Sequence, residues 1–232
     1  MKCKKCQSER LSLVKTGPHH KAVCLDCLAF NGFIKKSDQA AFNAAHQQIE
    51  PPKAVEAEPT KHRSICVLGP RPSGLLGGWK GDRSQIRAKL TAILERAKNK
   101  GFTVINSGAA QGIDTYAANI AMKLGYKARF FVPCTDQTAK WDDVSQNLYD
   151  LMLSKGEVIH VTGVPYKEDA QCMEKRNHSM IDDSDIVVAV ENIRPGGTAN
   201  AIKYASGRKP LLIINQENLS ERWIMPSKHG EI

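Results

Sequence analysis

The chain has 232 residues, 41% of them hydrophobic, which is enough for one sizeable core and a small appendage. It lacks the run of roughly 18 apolar residues that a membrane-spanning helix needs, so we expect no membrane partner. No apolar stretch follows the N-terminal lysines, so we expect no secretory signal and a cytoplasmic location. The formal net charge of +9 favours anionic partners, and nucleic acid is the commonest large anion.

Two Cys-x-x-Cys pairs lie near the N-terminus. Each pair forms a turn that presents two thiolates to one ion, and two such turns complete the closed tetrahedral site typical of structural zinc. The total of seven cysteines is odd, which argues against a disulfide framework. We therefore predict a zinc ribbon over residues 1–36, with structural Zn²⁺ and a hairpin turn at Gly17-Pro18; four unligated structural cysteines are the alternative. The predicted metal ligands are Cys3, Cys6, Cys24 and Cys27.

The predicted ribbon is also the most basic part of the chain. It carries eight Lys and Arg residues (positions 2, 4, 5, 10, 15, 21, 35 and 36) against Glu9 and Asp26. Its stretch from Gly17 to Lys35 resembles small ribbons in phage-encoded proteins. Contact with nucleic acid and contact with another protein are both compatible with this charge.

A short helix and a linker are predicted over residues 37–62. Ser37 and its neighbours provide a helix cap, and the helix extends to about Ile49. Pro51-Pro52 then ends it, and the polar segment to Lys61 is typical of a linker.

From residue 63 onward, short β-rich runs alternate with helical stretches. Such alternation predicts an α/β fold of the Rossmann-like kind, a mostly parallel sheet flanked by helices, over residues 63–232. Ligands of such sheets bind beyond the carboxyl ends of the strands. The predicted strands are Ser64–Leu68, Phe102–Asn106, Ala128–Val132, Val158–Thr162, Asp185–Val190 and Pro210–Ile214, and the predicted helices span residues 82–99, 114–124, 138–154, 170–181 and 199–206.

Two glycine-containing loops follow the first two predicted strands. The first begins at Gly69, where backbone can approach a ligand closely, and Arg71 offers a guanidinium for phosphate. The second leads from strand directly into helix, so the free N–H groups of the helix N-terminus point at an anion. In this second loop Asp114 either caps the helix or accepts hydroxyl groups of a ligand. The candidate ligand-binding residues here are Gly69, Arg71, Ser107, Gly108, Gln111 and Asp114.

Two further segments carry candidate residues for the same pocket. Arg176 and Asn177 lie in a predicted helix, where the arginine is either a surface charge or a clamp for phosphate. Glu174, two residues earlier, is either a solvated side chain or a base. The last segment is a second strand-to-helix glycine turn, which again suits an anion. It supplies Gly196, Gly197 and Thr198.

These motifs, in this order, resemble the SLOG superfamily and within it the YpsA-like branch. The motifs are Gly69-Pro70-Arg71-Pro72, Ser107 through Asp114, Trp141 with Tyr149, Arg176-Asn177, and Gly196-Gly197-Thr198 followed by Tyr204-Ala205. The resemblance covers residues 63–215. It implies a Rossmann-like fold that binds a nucleotide or a nucleotide-derived signal through the candidate residues above, and members that commonly pair, so we expect a homo-oligomer.

The same superfamily contains proteins with other activities, which remain as alternatives. The DNA-processing protein A family binds single-stranded DNA and shares the Ser-Gly-x-Ala-x-Gly-Ile-Asp loop and an Arg-Asn pair. The LONELY GUY phosphoribohydrolases release a base from a nucleoside monophosphate through a Pro-Gly-Gly-x-Gly-Thr-x-x-Glu motif. Here Pro195-Gly196-Gly197 is followed by Thr198-Ala199-Asn200, and the glutamate is missing. Glycosidic cleavage needs such a carboxylate, so we favour binding without hydrolysis.

Overall fold

In a computed structural model of the chain, the residues separate into two compact units, which are described in turn. The first consists of residues 1–60 and 138–151, and the second of residues 61–137 and 152–232. Across the described residues no helix is long and apolar enough to cross a membrane. The predicted Gly17-Pro18 turn, the end of the first predicted helix and the linker with Pro51-Pro52 fall outside the described part. The structure describes residues 1–9, 11–16, 19–24, 27, 29–46, 63–192 and 195–226.

The first unit contains a small antiparallel sheet and one short helix at its N-terminal side. Strands Leu11–Thr16 (β1), His19–Cys24 (β2) and Phe30–Ile34 (β3) pair in the order β1-β2-β3. A single 3₁₀ turn then leads into helix Gln39–His46 (α1), the described part of the predicted helix. Phe42 of α1 packs on a core formed by Cys3, Leu11, Ala22 and Cys24. This core is small, because the sheet has little apolar surface to bury.

The second unit is built on a mostly parallel seven-stranded sheet, which confirms the predicted Rossmann-like fold. Among the described residues the strand order is β10-β9-β8-β4-β5-β6-β7, and only the β9–β10 pair is antiparallel. The strands are Arg63–Leu68 (β4), Phe102–Ser107 (β5), Lys127–Val132 (β6), Glu157–His160 (β7), Ile186–Val190 (β8), Leu211–Ile214 (β9) and Glu221–Ile224 (β10).

Helices connect most of these strands, and the first helix of this unit shows why such helices form. Its apolar residues recur at helical spacing, so they share one side that can be buried. Ile86, Leu90, Ile93, Leu94 and Ala97 are the buried positions, as the spacing in the sequence predicts. The helices are Ser84–Asn99 (α2), Ile113–Lys123 (α3), Asp143–Leu153 (α4), Cys172–Asp182 (α5) and Gly197–Ala205 (α6), and most of α4 belongs to the first unit.

The position of β4 in the sheet determines where a ligand can bind. From β4 the chain builds outward through β5, β6 and β7, and then returns to place β8 on the other side of β4. The loops after β4 and β8 therefore diverge and leave a crevice at the carboxyl ends of these two strands.

Candidate functional site

A cleft of about 340 Å³ lies at this crevice in the second unit. The loop after β4, the start of α3, one face of α5, the segment after β8 and the start of α6 all contribute to its wall. The described wall consists of Leu68, Gly69, Pro70, Arg71, Ser73, Gly74, Ala110, Asp114, Met173, Arg176, Asn177, Asn192, Gly197 and Thr198.

A buried arginine and a buried carboxylate form the floor of the cleft. Nη1 of Arg176 lies 3.5 Å from Oδ2 of Asp114, and the two side chains are 8% and 6% exposed. Burial raises the pKa of Asp114 above its ordinary value, and the positive charge of Arg176 only partly offsets that effect. Nε of Arg176 has no hydrogen-bond partner among the described residues. The buried guanidinium therefore has one long contact, to the carboxylate of Asp114, and its Nε is unpaired among the described residues.

Two glycines bring the backbone close to this floor. A Cβ atom on Gly108 would lie 1.3 Å from Nη1 of Arg176, so the guanidinium occupies the space that any other residue at 108 would fill. Gly112 has a φ of 100°, and a Cβ there would lie 2.5 Å from the carbonyl oxygen of Pro70. Position 112 requires glycine because of its own backbone conformation, whereas a Cβ at position 108 would displace the guanidinium of Arg176.

Polar groups surround the mouth of the cleft. Arg71 follows β4 in an extended conformation, and its side chain is exposed. Across from it, α6 begins at Gly197, so its first free N–H groups lie at the cleft together with Thr198. Asn177 and Asn192 add amide groups to the wall. The mouth thus combines a movable cation with a helix N-terminus, both of which favour an anion.

Seven of the predicted binding residues line the cleft, and four do not. Ser107 lies behind the wall, where its hydroxyl donates to the carbonyl oxygen of Asp114. Gly108 accepts a hydrogen bond from Gln137 through its carbonyl oxygen and leaves room for the arginine. Gln111 and Gly196 are not part of the described wall. The seven that line it are Gly69, Arg71, Asp114, Arg176, Asn177, Gly197 and Thr198.

The structure shows where the two acidic residues with open roles, Asp114 and Glu174, lie. The N-cap position of α3 is Gly112, and Asp114 lies in the first turn, where backbone N–H groups of Gly69 and Ala110 donate to its carboxylate. Glu174 is exposed and its carboxylate lies 3.8 Å from Nε2 of His178, outside the described wall. Asp114 therefore belongs to the floor of the cleft and does not cap the helix.

Two residues outside the sequence motifs, Asn192 and Gln216, also shape the cleft. Asn192 lines the cleft two residues after β8 ends, a position at which parallel sheets commonly carry ligand groups. Gln216 holds the first loop in place, because its Oε1 accepts from the amide of Leu76 and its Nε2 donates to the carbonyl of Glu191. Nothing local in the sequence marks Gln216, since its partners are distant along the chain.

The four predicted metal ligands lie together in the first unit. All four sulfur atoms are within 4.8 Å of one another, so the cluster could hold a metal ion. The Sγ atoms of Cys3 and Cys27 are 3.5 Å apart, as are those of Cys6 and Cys24. Burial opposes ionisation of Cys3, but backbone N–H groups of Cys6 and Lys5 outweigh it and lower the pKa of this thiol.

Comparison with known proteins gives matches in both sequence and structure. The YpsA family model, described as the YspA SLOG family, matches residues 68–208. The UPF0398 protein of Bacillus pumilus (strain SAFR-032) is 25% identical over 171 residues, which cover 67% of this chain and 89% of that protein.

Two solved structures of DNA processing protein A also match. The Streptococcus pneumoniae protein has a TM-score of 0.50 and 19% identity, covering 69% of this chain and 53% of that one. This chain thus spans about half of that structure, and the likeness shows the fold. The Helicobacter pylori protein, described for its single-stranded DNA binding mode, has a TM-score of 0.49 and 19% identity, with 68% of each chain covered.

Proposed function

Since this chain belongs to the YspA SLOG family, we propose that it binds a nucleotide or a nucleotide-derived signal in the cleft after β4 and β8, without hydrolysing it. The observation that carries this proposal is Arg176. A buried cation is costly unless it is paired and fully hydrogen-bonded, and Asp114 alone is a poor partner at 3.5 Å. A phosphate oxygen accepting from the guanidinium would compensate for the burial.

The rest of the cleft suits the other parts of a nucleotide. Its volume of about 340 Å³ falls within the range of small-molecule sites. Arg71 and the N-terminus of α6 supply positive charge for phosphate, while Ser73, Asn177 and Asn192 offer hydrogen-bonding groups for sugar and base. A strand of nucleic acid fits less well, because the described wall contains no aromatic side chain on which bases could stack.

The carboxylates near the cleft support binding over hydrolysis. Asp114 is the one carboxylate of the described wall, and it is held beside Arg176 at the floor. Glu174 points to His178 at the surface. The helix α6 begins with Thr198-Ala199-Asn200, where the hydrolases of the superfamily carry a further glycine and then a glutamate. No described carboxylate is therefore placed to assist cleavage of a glycosidic bond.

The test is a binding measurement on the full-length protein. Calorimetric titration with adenosine, guanosine and cytidine monophosphates and diphosphates should give saturable binding of at least one of them. Arg71→Ala should weaken that binding by roughly tenfold or more, since a charge-assisted hydrogen bond contributes about 1.5–3 kcal/mol. Arg208→Ala, which removes an exposed arginine that stacks on Tyr204, is the matched control and should bind as the wild type does.

Chromatography of the same mixtures separates binding from hydrolysis. A constant nucleotide pool supports binding alone, whereas free base accumulating with the wild type would make the protein a hydrolase. Binding of no nucleotide at millimolar concentration, or unchanged affinity in Arg71→Ala, would contradict the proposed site.

We further propose that the metal of the cysteine cluster is zinc in a structural role. Tetrahedral zinc with Zn–S bonds of about 2.3 Å places its sulfur ligands about 3.8 Å apart. The two sulfur–sulfur separations of 3.5 Å are close to that value. Four thiolates leave no open position for a substrate, so the site suits a structural ion.

A further inference from the structure

An exposed aromatic cluster lies on the small sheet of the first unit and includes none of the four cysteines. Phe30 is 55% exposed and Phe33 is 61% exposed, and their ring centroids are 5.4 Å apart in an edge-to-face arrangement. Nζ of Lys21 lies 5.9 Å from the first ring and 5.7 Å from the second. His19 contacts the edge of Phe33 at 5.7 Å. We call these four residues the aromatic face.

An irregularity in β3 is what brings the two phenylalanines together. Residues three apart in a regular strand point to opposite faces. Here Lys21 pairs with Phe33 and Ala22 with Gly32, but Val23 pairs with Phe30, so the register shifts by one residue at Asn31. Such a bulge inserts one extra residue into the strand. Phe30, Phe33 and Lys21 consequently share one face of the sheet.

Asn31 anchors this bulge to the first cysteine turn. Its side chain is buried, at 3% exposed. Its Oδ1 accepts a hydrogen bond from the amide of Lys4 at 2.7 Å, and its Nδ2 donates to the carbonyl of Ala29 at 2.7 Å. A buried amide with a hydrogen bond at its oxygen and another at its nitrogen therefore fixes the bulge that leaves two large apolar rings exposed to solvent.

The surroundings of the aromatic face are positively charged. Lys35 follows Phe33 by two residues in extended backbone, so it projects to the same side, and it is exposed. Lys4 and Lys5 in the anchored turn are exposed too. Of the acids described in residues 1–46, Glu9 pairs with Lys2, and Asp38 accepts from Ser37.

We propose that the aromatic face binds single-stranded DNA, with unpaired bases stacked on Phe30 and Phe33 and phosphates bound by Lys21 and Lys35. Base stacking on exposed aromatic rings inside a basic surface is how proteins bind single strands without reading their sequence. Duplex DNA hides the faces of its bases, so it cannot use the rings. Stacking on a ring face does not by itself distinguish DNA from RNA, so a deoxythymidine and a uridine oligomer are compared. The lysines that surround the rings complement a polyanion, which favours DNA over an apolar protein partner.

Fluorescence anisotropy with the full-length, metal-loaded protein and a labelled deoxythymidine oligomer tests this site. Phe30→Ala and Phe33→Ala should each raise Kd by roughly tenfold, as expected when one stacked base is lost. Phe33→Leu keeps an apolar side chain of similar size without a ring face, so it should weaken binding nearly as much as alanine does. Trp223→Ala, which removes an exposed aromatic from the second unit, is the matched control and should leave Kd unchanged.

Salt and strand type provide independent readouts. Lys21→Gln should lower the magnitude of the slope of log K against log salt by the contribution of about one phosphate contact. Arg71→Ala should not alter binding of the oligomer, which separates this site from the nucleotide cleft. Any one of four results would overturn the proposal. These are equal affinity for duplex DNA, tighter binding of a uridine oligomer, no binding at low salt, and unchanged affinity in both phenylalanine variants. Variants are compared only where zinc content and melting temperature match the wild type.

Discussion

At the scale of single residues, Gly108 and Arg176 compete for the same space. The arginine sits at the floor of the cleft only because position 108 has no side chain, and the clash would fall on the ends of two side chains, the guanidinium of Arg176 and the carboxylate of Asp114. A small side chain at 108 is thus expected to displace the cation without dismantling the fold. Such a substitution moves the guanidinium of Arg176 while the arginine stays in the chain.

Gly108→Ala is therefore expected to weaken nucleotide binding by roughly tenfold or more while Arg176 is still in the chain. The loss of stability should be small, because the arginine can swing out of the way. Gly207→Ala, strained by a φ of 81° at a residue outside the cleft wall, should instead lower the melting temperature and leave affinity intact. Calorimetric titration and thermal melting of both variants measure the two effects. Wild-type affinity in Gly108→Ala would show that the guanidinium does not contact the ligand.

At the scale of elements, an ion cluster joins the edge strand β10 to helix α2. The carboxylate of Glu221 lies 2.8 Å from Nζ of Lys89 and 2.7 Å from Nη2 of Arg96. Burial raises the pKa of Glu221, but the hydrogen bonds from Lys89 and Arg96 outweigh it and bring the pKa below 4.5. The folded state therefore binds fewer protons here than the unfolded chain, and the resulting stabilisation is present above pH 4.5.

Glu221→Gln should lower the melting temperature at neutral pH by roughly 2 °C, as expected for a partly exposed ion pair. The difference from the wild type should shrink as the pH falls below 4.5 through the pKa of the folded state, because the wild-type carboxylate is then protonated as well. Thermal melts from pH 3 to pH 7 are the measurement, with the exposed Glu217→Gln as the control. A difference that stays constant down to pH 3 would contradict the assigned ion cluster.

The elements differ in how far the sequence predicts them. The strand-to-helix turns at Ser107–Asp114 and at Gly196–Thr198 are local patterns, and so is the spacing of apolar residues in the helices. The sequence therefore predicts these turns and helices, and the Rossmann-like fold built from them is confirmed. The strand Glu221–Ile224 was missed, because four residues at an antiparallel edge carry little pattern and owe their conformation to β9 and α2. The predicted strand Val158–Thr162 begins one residue after β7 does and extends two residues beyond it.

The candidate sites follow the same rule. The four cysteines are predictable from spacing alone, because a metal site needs only two turns to meet. The partners of Arg176 are not, since its contact with Asp114 spans 62 positions along the chain. The shared face of Phe30 and Phe33 is also unpredictable from alternation, because the register shift at Asn31 reverses it.

At the scale of the whole molecule, the two units differ in what stabilises them. The second unit has an extensive core between sheet and helices, including Met180, Ile181, Val187 and Leu211. The described core around Cys3 in the first unit is much smaller, and two of its five buried members belong to the four-cysteine cluster. If the four cysteines hold a metal ion as proposed, its loss should destabilise so small a core.

We therefore expect the purified protein to contain one zinc ion per chain and chelation to unfold the small sheet selectively. Amides of residues 11–46 should lose protection from hydrogen exchange, while those of β4, β5 and β8 keep it. Cys24→Ser should abolish zinc binding, and Cys134→Ala, which removes a buried cysteine outside the cluster, should not. Elemental analysis and hydrogen-exchange mass spectrometry measure these outcomes. Exchange that accelerates equally in both regions would contradict selective unfolding.

The bulge at Asn31 sets the alignment of the edge strand β3 in the small sheet. Residues on a strand alternate between faces, so a slip of β3 by a single residue would turn Phe33 from solvent toward Phe42 and Leu11. The Lys4 amide that Asn31 holds lies inside the first cysteine turn. Disturbing that turn is therefore expected to release the register of β3 as well, and with it the outward orientation of the two rings.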